Sequence, residues 1–214
     1  ATKIRWLADS EKENAAKVAG VALPHDWLSW HLQHRPDEIK DFNKLFSDRS
    51  EASGTGYFDP TTSQYRRDIL ARALRSEKEI HLPKILAPAE FGGTTSSGIP
   101  IAPGAGDNAA AALGIQAQAG DVVVSLGTSG TAFAVSDTPT HDASGQVAGF
   151  ADATGRYLPL VCTLNAARIL DAATRILGKT HDEVGALALS AKQGANGLSL
   201  LPYFEGERTP NRPT

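Results

Sequence analysis

The sequence predicts an α/β fold divided into two parts, and three observations carry that expectation. Up to Gln116, apolar residues recur with helical spacing between Pro- and Gly-rich breaks. After Gly120 the pattern changes to short apolar runs separated by tight turns, the mark of antiparallel strands. The change falls at 116–120, which places a domain boundary there, with residues 1–117 in one part and 118–214 in the other.

The elements follow in order. Residues 10–20 read as a helix, with Asp9 or Ser10 as N-cap, Glu13 in the first turn and Gly20 as terminator. Pro24 suits the first turn of a second helix that carries Trp27, Leu28, Trp30 and Leu32. Residues 35–53 are polar and irregular. Gly56–Asp59 reads as a short strand or turn, and Gln64–Leu74 as an amphipathic helix. A loop through Pro83, Pro88 and Gly92–Gly98 leads to a strand at 99–102 and a helix at 108–116. Strands are expected at 121–126, 131–136, 146–151 and 156–161, with Asp152–Gly155 as a turn. Helices at 163–178, ended by Gly178, and 181–191 close the pattern.

Composition excludes several classes of function. The 214 residues are 41% hydrophobic and 21% charged, and the net charge is −3. The ordinary globular balance carries no basic patch for nucleic acid or an anionic membrane. Cys162 stands alone, so no disulfide or cysteine metal cluster forms within the chain, and its apolar neighbours make it an expected core residue. No run approaches the roughly 20 apolar residues of a membrane span and no signal pattern opens the chain, so the expected location is the cytoplasm. The absence of Met and the loop-like stretch Glu207–Thr214 lead to the expectation that the sequence is a portion of a longer protein.

Two loops carry chemistry. Pro103-Gly-Ala-Gly-Asp-Asn108 places Asp107 where a strand gives way to an alanine-rich helix. Gly104-x-Gly106-x-x-Ala109 matches a dinucleotide fingerprint. A carboxylate at the helix start would repel the pyrophosphate, however, and Asp121 begins the next strand where an acid should end it. The plainest alternative is that Asp107 only caps the helix. The same placement also suits phosphoryl transfer to an alcohol, where a fixed carboxylate orients the hydroxyl and accepts its proton. Orientation matters more than basicity when the transition state is loose. Asn108 can offer its amide to a neighbouring hydroxyl.

The second loop, Gly127-Thr-Ser-Gly130, lies between two apolar runs and reads as a hairpin turn. It is not a hydrolase elbow, because Thr131 stands where a Gly belongs and no helix follows. It is not a Walker A loop, because it has no Lys. It remains either a plain turn or a turn whose amides and Thr128 hydroxyl hold a phosphate.

These residues resemble the FGGY family of carbohydrate kinases, most closely its xylulokinase branch. The resemblance rests on Lys3–Leu7, Leu23-Pro-His-Asp-Trp-Leu28, Ser47–Thr55, Gly104–Ala110, Ser125–Thr131 and Leu201–Pro210, and it covers essentially the whole chain. It implies the actin-like, ribonuclease-H-like ATPase fold, with parts of two domains flanking a cleft. Residues 1–117 would be the C-terminal half of domain I, on the sugar side. Residues 118–214 would be the N-terminal half of domain II, on the nucleotide-phosphate side. The implied activity is ATP-dependent phosphorylation of a ketopentose, D-xylulose to its 5-phosphate, with ribulose, gluconate or glycerol as other acceptors of the family. Asp107 matches the catalytic base and Asn108 its neighbour at the sugar. Gly127, Thr128, Ser129 and Gly130 match the phosphate contacts. ATP and Mg2+ are the implied cofactors, the sugar and ATP the partners, and a homodimer is left open.

The departures are the missing N-terminal phosphate and Mg2+ loop, a missing sugar-contacting segment, a missing adenine segment and a short linker at 90–100. They predict that the chain as given does not turn over by itself. Two readings from other classes stand beside the kinase, a dinucleotide-dependent oxidoreductase and a non-catalytic actin-like module.

Other residues are expected to hold the fold. Trp6, Trp27 and Trp30 read as core by their periodicity. His31 and His34 lack a third metal ligand nearby. His25 reads as a local hydrogen bond to Asp26, and Arg208 as a surface ion pair. Ser47–Thr55 either lines a cleft or braces it.

Overall fold

The computed structural model describes residues 1–213 and divides them into two compact units. The first comprises residues 1–121, 135–141 and 149–159; the second comprises 122–134, 142–148 and the described residues from 160 on.

The first unit opens with α1 (Thr2–Ser10) and α2 (Lys12–Lys17), separated by a break at Glu11, whose φ is −131°. This corrects the single helix expected at 10–20. Ala8 of α1 is buried, and Ile4 packs on a cluster of Tyr57, Leu70, Leu74 and Ile80. That burial extends the helical run N-terminally past Asp9 and Ser10, which local propensity marks as a start. Gly20 is not a helix terminator either. It bridges His81, and a Cβ there would lie 2.9 Å from the Phe42 ring, so glycine permits the close approach.

α3 (Pro24–Leu32) begins at Pro24 as expected, and Asp26 accepts the Leu23 amide at 2.8 Å. Segment 35–53, expected to be irregular, holds β1 (Phe46–Asp48) and α4 (Arg49–Ser53). β2 (Phe58–Asp59) and β3 (Gln64–Tyr65) form a hairpin leading to α5 (Arg67–Leu74), on which α1 packs. β4 (Lys84–Leu86) pairs in parallel with β1, in the register Ser47 to Ile85. β5 (Gly93–Thr94) and β6 (Pro100–Ile101) are antiparallel, and α6 (Asp107–Gly114) follows.

Within the second unit, β7 (Val122–Leu126) and β8 (Gly130–Ala134) are antiparallel, Leu126 facing Gly130. β9 (Ala148–Ala151) and β10 (Tyr157–Thr163) follow, and the turn between them in the first unit is closed by the Asp152 amide on Arg156 O at 3.1 Å. The later residues of β10 pair with β8, Thr163 opposite Gly130. α7 (Ala167–Leu177) ends at Gly178, whose φ of 62° is the left-handed cap expected there. α8 (His181–Ser190) starts with a capping box between Thr180 and Glu183. The hairpin, the strands after Gly120 and both late helices agree with the sequence expectation within a few residues.

The tryptophans correct that expectation. Trp6 is 60% and Trp27 52% exposed, because α1 and α3 turn other residues inward. Trp30 is half-buried, stacks on Phe42, and donates its indole N–H to Asp41 O at 2.7 Å. His34 is buried, with Nδ1 against Trp30 O and Nε2 accepting the Asp41 amide. Cys162 is half-buried rather than core. Among the described residues no helix is long and apolar enough to cross a membrane.

Candidate active site

Asp107 is the first residue of α6, not its cap; Gly106 is the N-cap, with ψ at 155°. The carboxylate is exposed, and its Oδ1 accepts the Asn108 amide at 2.8 Å and the Asn108 Nδ2 at 3.1 Å. Oδ2 accepts no bond from the described residues and is open to a hydroxyl donor. Orphan amides at the helix start favour a negative charge here, while the bond from Asn108 sets the plane of the carboxylate. Asn108 is half-buried beside it.

The loop leading to Asp107 is held from beneath by the Ser47–Thr55 segment. Asp48 caps α4, its Oδ1 accepting the amides of Ser50 at 2.8 Å and Glu51 at 3.1 Å. The same oxygen accepts the Ser50 hydroxyl, whose Oγ in turn accepts the Gly106 amide at 2.8 Å. The residue before Asp107 is thereby tied to a buried N-cap 56 positions earlier. Segment 47–55 also carries the first-unit part of β9. Ser53 Oγ accepts the Ala151 amide at 3.0 Å, and Phe150 lies against Gly54. The segment braces the Asp107 loop through these bonds.

Beneath Gly104 lies a charged cluster. His25 Nε2 is 3.0 Å from Asp26 Oδ1 and 3.4 Å from Asp48 Oδ2. The hydrogen bond that the His25 ring donates to Asp48 raises the His25 pKa above its ordinary value, with burial opposing it and the Asp26 charge assisting. Burial pushes the Asp26 carboxyl up, against the bond from the Leu23 amide. Burial also pushes Asp48 up, but the bonds from His25, Ser50 and the Glu51 amide outweigh it and bring it below the usual range. His25 therefore touches Asp26 as expected, and Asp48 in addition. The periodicity of α3 gave no sign of Asp48. The spacing Asp48-x-x-Glu51, an N-cap acid with another three residues on, was the available signal for the start of α4.

The second loop is the β7–β8 turn. Gly127, Thr128 and Ser129 are exposed and Gly130 is buried. The Gly127 amide is spent on Ser129 O at 3.0 Å, so Thr128 and Ser129 offer the available donors. The carbonyls of Gly127 and Thr128 point the other way, accepting the amides of Ala167 at 2.8 Å and Ala166 at 3.3 Å. A Cβ on Gly130 would lie 3.0 Å from Ala166 Cβ and 3.3 Å from Thr163 Cγ2, so only glycine lets the turn sit this close to segment 163–167. With two carbonyls engaged by Ala166 and Ala167 and the Thr128 and Ser129 side chains exposed, the turn has hydroxyl donors free of the strand pairing.

Segment 163–167 is itself clamped by Glu207, which is 5% exposed. Its carboxylate accepts the Thr163 hydroxyl at 2.5 Å, the Leu164 amide at 3.0 Å, Asn165 Nδ2 at 3.1 Å and the Arg208 amide at 2.8 Å. The first of these bonds does most to lower the Glu207 pKa, to about 2, while burial opposes it. Sequence reading passed over Glu207 for Arg208, and among the described residues Arg208 is not in an ion pair. Its Nη2 donates to Cys162 Sγ at 2.9 Å, and the ion pair of this region joins Arg168 to Glu205 at 2.8 Å. Among the described residues no three His, Cys, Asp or Glu side chains gather as a metal set.

Comparison with known proteins places these features in context. The FGGY family of carbohydrate kinases, N-terminal domain, matches residues 1–114. The xylulose kinase of Streptomyces coelicolor is 41% identical over 99% of this chain and 42% of its own length. That of Haemophilus influenzae is 30% identical over the whole chain and 44% of its own length. The crystal structure of xylulose kinase from Bifidobacterium adolescentis superposes with a TM-score of 0.88 at 46% identity, over 99% of this chain and 46% of that one. The chain thus spans less than half the length of the relatives it matches.

Proposed function

The chain belongs to the FGGY family of carbohydrate kinases, and from that premise we propose that the whole protein phosphorylates D-xylulose. Its α/β fold is part of the actin-like ATPase fold of those kinases. In this reading the terminal hydroxyl oxygen of the ketopentose attacks the γ-phosphorus of ATP. The bond from γ-phosphorus to the bridging oxygen breaks, ADP leaves, and the hydroxyl proton passes to Asp107. Asn108 binds a neighbouring sugar hydroxyl, and Thr128 and Ser129, flanked by Gly127 and Gly130, hold the nucleotide phosphates. Residues 1–117 supply the sugar side and 118–214 the phosphate side, in the cytoplasm. Mg2+ would arrive with the ATP phosphates and neutralise their charge.

The observation that carries the reading is the open Oδ2 of Asp107 on a helix start anchored through Ser50. The same anchor weighs against a dinucleotide site at Gly104–Ala109. There the Gly106 amide is already bonded to Ser50, and a carboxylate occupies the place of the pyrophosphate. A coupled ADP-release screen of the whole protein against ketoses and polyols tests the proposal. D-xylulose should give the highest kcat/KM. A preference for gluconate or glycerol would move the substrate within the family, and no sugar-stimulated ADP release would favour a non-catalytic module.

Thr128→Val removes one hydroxyl donor to a charged group. It should weaken ATP binding about tenfold with little change in sugar KM. Unchanged nucleotide affinity, measured by titration calorimetry, would remove Thr128 from the phosphate site.

A further inference from the structure

We propose that His25 is a positioning residue for phosphoryl transfer, bridging Asp26 and Asp48 beneath Gly104 and so setting the aim of Asp107. The inference rests on the reading of Asp107 as base. Three observations carry it, all within the first unit.

His25 Nε2, Asp26 Oδ1 and Asp48 Oδ2 are buried and, among the described residues, find no partner other than one another. At 3.0 and 3.4 Å they have the geometry of one N–H shared between two carboxylates. Next, Gly104 lies directly on this arrangement. Its φ is +91°, and a Cβ there would be 3.4 Å from His25 Cδ2, 3.6 Å from Nε2 and 3.9 Å from Asp48 Oδ2. Finally, Asp48 passes its position onward through Ser50 to the Gly106 amide, one residue before Asp107. The imidazole thus fills the space a side chain at Gly104 would take, and it is linked to Gly106 through Asp48 and Ser50.

Charge on the ring is what holds this together. Asp26 faces it from α3, Asp48 from the end of β1, and Glu51 from α4, and all three are acidic. Asp26 is 1% and Asp48 5% exposed. Without the cation, two buried carboxylates confront each other with no compensating charge, and one must move or take up a proton. Movement of Asp48 carries Ser50 and Gly106 with it. The histidine pKa is raised in the fold, so its grip is complete below the ordinary histidine value. It is lost as the pH rises through the raised one. The kcat of the wild-type protein should therefore fall across that alkaline range.

The test compares His25→Gln, His25→Lys, Ser50→Ala and Asp107→Asn in the whole protein, with kcat and both KM values followed from pH 6 to 9. His25→Gln should lower kcat about tenfold while leaving the KM for ATP unchanged, and should lose the histidine-dependent limb of the pH profile. His25→Lys keeps a cation, and it should recover much of kcat and hold it at alkaline pH. Ser50→Ala cuts the link to Gly106 and takes one hydroxyl donor from Asp48 while leaving His25, Asp26 and Asp48 in place, and it should lower kcat several-fold. It therefore decides the matter if His25→Gln does not fold.

A purely structural role predicts lower melting temperatures with unchanged kcat per folded molecule and an unchanged pH profile, and that result overturns the inference. If Asp107→Asn is inactive while His25→Gln and Ser50→Ala turn over normally, the positioning role fails alone. If Asp107→Asn turns over normally, the base assignment fails and this inference falls with it.

Discussion

Asp107→Asn should lower kcat about 10³-fold in the whole protein while leaving the sugar KM within a few-fold of its starting value. Asparagine at 107 keeps the size of the side chain and an oxygen that can still accept the Asn108 amide, so the start of α6 should survive. What it loses, under the proposed role of Asp107 as base, is the ability to take the hydroxyl proton and the negative charge that orients that hydroxyl. Because Asp107 is exposed and not the N-cap, its replacement leaves no capped amide stranded, and the melting temperature should hardly change. An inactive but unfolded variant would say nothing about chemistry, so the unchanged melt is part of the expectation. Near-normal turnover would assign the proton to another group.

The site was legible where its geometry is local. A Gly-rich loop running into a helix and a hairpin of small residues both announce themselves within ten residues, and both form as read. What supports them was not legible, because it depends on distant pairings. β1 has three residues, too few to show alternation, and exists because it pairs with Lys84–Leu86. His25, Asp48 and Gly104 meet only once α3, β1 and the loop after β6 are in place. The α1–α2 break at Glu11 has the same origin, since packing on α5 overrides the capping signal at Asp9 and Ser10. Trp6 and Trp27 show the limit of periodicity. It marks which residues share a helical face but not which face a neighbouring element will cover.

Glu207→Ala should strongly destabilise the part of the second unit that holds the β7–β8 turn. The carboxylate accepts from Thr163, Leu164, Asn165 and Arg208 in a site that is 5% exposed; alanine removes that acceptor from the Leu164 and Arg208 amides, while Thr163 Oγ1 keeps Asn165 O and Asn165 Nδ2 keeps Gly206 O. Hydrogen bonds to a buried charge make the loss about 3 kcal/mol or more, read as a shift in the urea midpoint at constant slope. Under the proposed phosphate role of the turn the effect extends to ATP, because the amides of Ala166 and Ala167 hold the carbonyls of Thr128 and Gly127. ATP affinity should fall with stability, whereas the sugar KM should not follow.

Acid separates the charge from the packing. The Glu207 pKa is depressed from 4.5 to about 2, so its contribution is complete above the unfolded value and disappears as the pH drops toward the folded one. Wild type should therefore lose stability between those limits, and Glu207→Gln, which cannot ionise, should lose less over the same interval. Gln should also be weaker than wild type at neutral pH, since its amide faces donors rather than acceptors. If Glu207→Ala and wild type share both a urea midpoint and an ATP affinity at neutral pH, the clamp does not hold the turn.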